Sequence, residues 1–292
     1  MGLLTWLRER LGLQAPAAGP PAGAAPPQAA PPPSIPPAIP PSAAAPAEAP
    51  VAAPLREEAD AAAFQAGCDR RHAFWQAVGQ VEDDVLTPLI SPSFTGGPAW
   101  PSTRQAYRVV RRGHALVLAT DGLSDPFDGV QGAGNGFGLE LFLETGDIAA
   151  EFAGLPGDVS GLSRSWAFEL LSHVAGTVAG AGGILPQLER HGVLSMELPG
   201  VSRARSLPDQ LPPGFVTEDD ALGLLLGGPE PDFPTLIADM PLSPVRMVPV
   251  VLLKAAELTA LRQGGAEARH RLAGRLAAST GHRSSLGRPA VN

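Results

Sequence analysis

The sequence is poor in cysteine, lysine and aromatic residues, and each shortage excludes something. A single cysteine, Cys68, leaves no internal disulfide framework and no thiolate-rich zinc or iron–sulfur site. Aromatic residues make up 5%, too few for the stacking platforms that bind single-stranded nucleic acid. Lys254 is the only lysine, so arginine carries almost all of the positive charge. The formal net charge of −8 disfavours nucleic acid and anionic membranes as main partners. No stretch approaches the roughly 20 apolar residues of a membrane-spanning helix. Arg8, Glu9 and Arg10 interrupt the short apolar run at the start, which therefore does not form a secretory signal. Trp6 stands where a myristoylation signal needs Ser or Thr. A cytoplasmic location is expected.

Proline, by contrast, is abundant: 33 of 292 residues, about twice ordinary usage. Of the 40 residues 15–54, 15 are Pro and 16 are Ala, and the remainder of the chain has ordinary globular composition. Such a stretch denies backbone donors and brings little apolar area, so 14–54 is expected to be a disordered, semi-extended linker. Ahead of it, Leu3, Leu4, Leu7 and Leu11 give residues 1–13 the apolar face of a short amphipathic helix. Three turns are not stable alone in water. The segment reads either as a weakly docking peptide or membrane-surface anchor, or as a frayed end. Residues 55–292 are expected to form one domain.

Within that domain, residues 57–81 have helical composition, and 114–120 form an apolar run suited to a buried strand. The segment 136–144 alternates cleanly, with Phe137, Leu139, Leu141 and Leu143 on one face and Glu140, Phe142 and Glu144 on the other. The segment 163–181 reads as a helix capped by Ser163 or Ser165, with Leu162, Trp166, Leu170, Val174 and Val178 on its buried side. Further strands are expected at 193–198, 221–226, 235–240 and 245–253, the last an edge or bulged strand because it contains Pro249. Two helices, 254–262 and 266–278, close the chain around Gly264 and Gly265. Strands mixed with helices, without regular alternation, make the fold class α+β: a mixed sheet flanked by helices.

The search for chemistry finds no standard machinery. Gly132, Gly134, Gly136 and Gly138 precede a strand rather than a helix and lack GxGxxG spacing, so no dinucleotide is expected. The six histidines show no HxH or HExxH spacing, and there is no GxSxG elbow or phosphate loop. Asp121, Asp125 and Asp128 lack calcium-loop register and read as turn residues. Glu140 and Glu144 would stand ~13 Å apart along a strand, too far for a carboxylate pair. Cys68 near Arg70 and Arg71 reads as a packed thiol rather than an activated one. No metal and no cofactor is expected.

The run VLATDGLSDPF (117–127), followed by GFGLEL (136–141), resembles the Suppressor of fused domain family. Thr120, Gly122, Leu123, Ser124, Asp125, Gly136, Phe137, Gly138, Glu140 and Leu141 match that family's two central motifs, and the Trp166 helix follows in the same order. The resemblance covers about residues 85–280. It implies a non-enzymatic protein-binding domain. Many bacterial members look like immunity proteins that neutralise toxins, and the short chain favours that type over the animal one, which sequesters transcription factors. A toxin domain or another protein is the expected partner. Asp121, Asp125 and Glu140 are the polar residues expected at a partner-binding site, while the glycines, Thr120, Leu123, Ser124, Phe137, Leu141 and Trp166 are expected to be structural. Two other readings stay open: a hydrolase or metal-dependent enzyme built on Asp121, Asp125 and a histidine such as His114, and a scaffold tethered through its N-terminal helix.

Overall fold

A computed structural model describes residues 52–88, 92–128, 130 and 134–291. The helix expected at 1–13, almost all of the Pro/Ala stretch and Gly132 lie outside the described residues. The chain divides into the units Met1–Arg56 and Glu57–Asn292, and the fold is that of the second.

The domain is α+β and centres on a mixed eight-stranded sheet. Its strands are β1 (Gln80–Val81), β2 (Ala106–Arg112), β3 (Ala115–Asp121), β4 (Leu139–Thr145), β5 (Leu194–Pro199), β6 (Ala221–Leu226), β7 (Leu236–Ile237) and β8 (Val245–Leu253). They lie in the order β1-β2-β3-β4-β8-β6-β5, with β7 on β8. Every pairing is antiparallel except β4 with β8. The longer helices beside the sheet are α1 (Ala52–Val78), α2 (Trp166–Gly180), α3 (Leu185–His191) and α4 (Ala255–Ala277), with short helical turns at Ala150–Ala153 and Leu207–Gln210.

Hydrophobic pattern decides the layers. Leu139, Leu141 and Leu143 of β4 join Val109, Leu118, Leu224 and Val250 under Trp166, Leu170, Val174 and Val178 of α2. The expected buried side of α2 is thus the observed one, and Ser165 caps it by accepting the Phe168 N–H at 3.2 Å. On the opposite face Phe142, Val110, Val117 and Met247 meet Trp75 of α1. Val193, Leu225, Val251 and Leu253 meet Leu261, Leu272 and Leu276 of α4. Helices cover both faces, so the central strands are buried on both sides.

Several expectations need correction. The second motif enters its strand at Leu139, three residues later than expected, because Gly136 (φ 47°) and Gly138 (φ 69°) form a turn. Pro249 does not mark an edge: β8 is central. Pro249 sits where β8 leaves β4 (Phe142↔Pro249) and takes up β6 (Leu226↔Val250), so its missing N–H falls at the change of partner. The strand expected at 235–240 shrinks to two residues. The break expected between the two closing helices, by contrast, is observed: α4 is interrupted at Gly265, whose φ of 56° no helix accommodates. Neither β2 nor α3 was expected from the pattern.

Candidate functional site

The two motifs meet at one buried cluster. β3 ends at Asp121 and runs into the turn 122–125; β4 lies beside it in antiparallel pairing. Glu140, fully buried, points into that turn and accepts the backbone N–H groups of Gly122 (3.0 Å), Leu123 (3.3 Å) and Ser124 (2.9 Å). It also accepts the hydroxyls of Ser124 (2.6 Å) and Thr120 (2.5 Å). Thr120 Oγ1 in turn accepts the Leu141 N–H at 2.8 Å, tying β3 to β4. The Phe137 N–H donates to the Leu123 carbonyl at 2.9 Å, joining the second motif to the first. A Cβ on Gly136 would lie 2.5 Å from the Leu123 and Asp125 carbonyl oxygens, so only glycine fits there.

The aspartates complete the cluster with arginines from α1, from β2 and from the segment just before β2. Arg71 of α1 donates Nε to Asp121 (2.7 Å), Nη2 to Asp125 (2.5 Å) and Nη1 to Ser124 Oγ (3.1 Å). Arg104 donates to Asp121 Oδ2 at 2.7 Å and reaches Asp125 at 3.5 Å. Arg108 Nε lies 2.7 Å from Asp121 Oδ2 as an ion pair, without hydrogen-bond alignment. Ser102 donates to Asp125 Oδ2 at 2.9 Å. The side chains of Arg71, Asp121, Asp125 and Glu140 are all at most 1% exposed.

Three guanidinium groups therefore face three carboxylates, and each of the six carboxylate oxygens already has a donor or a cation. Burial alone would raise the Asp121 carboxyl, but Arg71, Arg104 and Arg108 outweigh it and hold it down to about 2. For Arg71, burial works against the charge; Asp121, Glu140 and Asp125 overcome that and keep it protonated above its ordinary value. Burial pushes the Glu140 carboxyl up, Arg71 pulls it back, and Asp121 adds to the rise. The cluster acts as a clamp: it binds α1 to the β3–β4 turn.

Asp121, Asp125 and Glu140, expected at the partner-binding site, are brought together, but inside the protein. They face this chain's own donors rather than the surface. The motif residues Thr120, Gly122, Leu123, Ser124, Gly136, Phe137, Gly138 and Leu141 surround them, while Trp166 sits in the α2 core. His114 does not join the aspartates: it stands just before the far end of β3, about 23 Å from Asp121 by strand rise. Burial raises the Cys68 thiol, with Arg104 and Arg71 pulling the other way. It is a packed thiol whose Sγ accepts from Arg71 Nη2 at 3.5 Å.

The sequence reading missed the three arginines. Arg71 had a visible signal: it shares a helical stripe with Phe64, Cys68 and Trp75, and a lone cation in an apolar stripe implies a buried anion facing it. The apparent basic run on β2 is spent internally. Arg111 pairs with Glu82, and Arg112 pairs with Glu144 and Asp232. The basic character of the C-terminal region is largely spent as well: Arg262 pairs with Glu197 and Asp219, Arg271 with Glu267, Arg283 with Glu144 and Arg288 with Glu257.

Beside the motif loop lies a groove of about 570 Å³, lined by Gly138, Leu185, Leu236, Pro244 and Arg246 among others. Leu236 is 55% exposed on its wall. Among the described residues no group of acidic, histidine or cysteine side chains could hold a metal ion, and no single helix is long and apolar enough to cross a membrane. The bent pair α2–α3 meets that membrane test by length and composition alone, and α2 is the core helix. No protein-family model matches the chain, and no curated protein matches it in sequence.

Proposed function

We propose that this protein is a non-enzymatic binding domain of the Suppressor of fused type, a cytoplasmic immunity-like protein that binds and neutralises a toxin or similar protein. The reading is carried by one observation: the two motifs behind the resemblance form a single physical unit. Glu140 of the second motif takes up the backbone and hydroxyl donors of the first. That coupling gives the two motifs a shared structural role, and this supports the reading. The acidic residues offered by those motifs are engaged in holding the fold, which leaves binding to surfaces the fold presents. The test is co-expression with a candidate toxin domain in a growing cell. Restored growth together with a stable complex of the two purified proteins supports the proposal. Turnover of a substrate by the purified chain alone would overturn it.

A further inference from the structure

We infer that the groove beside the motif loop binds an amphoteric small molecule, one that joins an ammonium and a carboxylate to an apolar body. Such a site would stand whether or not the chain holds a toxin.

The strand arginines single the groove out. Four arginines stand on the strands, three on β2 and Arg246 on β8. The β2 three are engaged inside the domain: Arg108 lies 2.7 Å from Asp121, Arg111 pairs with Glu82, and Arg112 reaches Glu144 at 3.2 Å. Arg246 is different. Its ion-pair partner is Glu230 at 3.8 Å, on a side chain that is 66% exposed. A pair so long and so exposed contributes little. The Arg246 side chain is only 27% exposed, yet among the described residues its guanidinium makes no hydrogen bond.

Glu189 of α3 lines the same groove. It stands one turn after Leu185, which also lines it, so both occupy one face of that helix. Glu189 is exposed and, among the described residues, has neither an ion pair nor a hydrogen bond. The two charges do not pair with each other. A cation and an anion therefore border one space, and neither neutralises the other.

The walls between them are largely apolar. Leu236 stands opposite Arg246 in the β7–β8 ladder, so the two side chains share a face of the sheet. Leu185 and Pro244 complete the apolar lining. A space of about 570 Å³ with apolar walls and a few polar groups has the form of a small-molecule site. Ser243 adds a donor: its Oγ accepts the Asn135 N–H at 2.8 Å, which fixes the hydroxyl on the wall and leaves its own hydrogen to donate. Charge complementarity then sets the ligand. Arg246 and Ser243 take a carboxylate, Glu189 takes an ammonium, and the leucines take the apolar body. A purely anionic amphiphile would meet Glu189 unanswered, and a purely cationic one would meet Arg246.

The test titrates the full chain with two amphoteric probes, 8-aminooctanoate and L-phenylalanine. The first carries its charges at opposite ends of the apolar body, the second on one carbon. Octanoate and octylamine serve as single-charge controls. At least one amphoteric probe should bind saturably at millimolar concentration, shifting the amide signals of Leu185, Leu236 and Arg246 and leaving that of Trp166 in place. Arg246→Gln and Glu189→Gln alter side chains without close partners, so the fold should survive both. Each should weaken binding by about threefold or more, as should removal of either charge from the probe. No saturable binding of either amphoteric probe, a single-charge control that binds as tightly, or wild-type affinity in either variant would overturn the inference.

Discussion

At the scale of single residues, the clamp rests on Arg71 and Glu140. A buried guanidinium bridging two aspartates contributes little net stability as a pair, because desolvation offsets much of its Coulomb gain. Removing one side is another matter, since it strands charge in a dry site. Arg71→Ala is expected to cost about 3–5 kcal/mol, read as a lowered denaturant midpoint. Glu140→Gln should cost a similar amount, because its amide NH2 would face donors that need an acceptor. If E140Q unfolded at the wild-type midpoint, the staple between the two motifs would be incidental. In the sequence the acidic half of this cluster was legible and the basic half was not. The acids sit in a recognisable run, whereas Arg71 comes from α1, Arg104 from the segment before β2 and Arg108 from β2, and only the fold assembles them.

At the scale of elements, legibility followed pattern strength. α2 carries an unambiguous period and its buried face is the one the period indicates, whereas β4 alternates as cleanly but is buried on both faces. β2 reads AYRVVRR, where arginines on both faces break the alternation, and it surfaced only once its ion pairs were in view. Pro249 misled because proline restricts one N–H rather than a whole strand. Ser165→Ala removes the α2 cap and is expected to lower stability by about 1 kcal/mol. Ser163→Ala serves as the control, because Ser163 lies before the helix and donates its hydroxyl to the Ser160 carbonyl instead. A larger loss from S163A than from S165A would reassign the cap.

At the scale of the whole molecule, acid should unfold the domain through its clamped carboxylates. Asp121 is held down to about 2 in the fold. Glu144 is also lowered: its burial is outweighed by hydrogen bonds from His282 and Arg283. For such groups the stabilisation is complete above the unfolded pKa and is lost as pH falls through the folded one. Glu140 runs the other way, since a raised carboxyl binds its proton more readily in the fold than out of it. Asp121 and Glu144 should therefore pull the melting temperature down as pH falls between about 4 and 2, with protonation of Glu140 opposing that fall. A melting temperature that rose over that acid range would mean that Glu140 dominates.

The central claim is that this domain works by holding another protein. The most direct measurement is the native mass of the full chain purified from cells that also make a candidate toxin domain. The 30.0 kDa chain is expected to emerge in a one-to-one complex whose formation abolishes the toxin's activity. The chain emerging alone, with the toxin still active beside it, would contradict that claim.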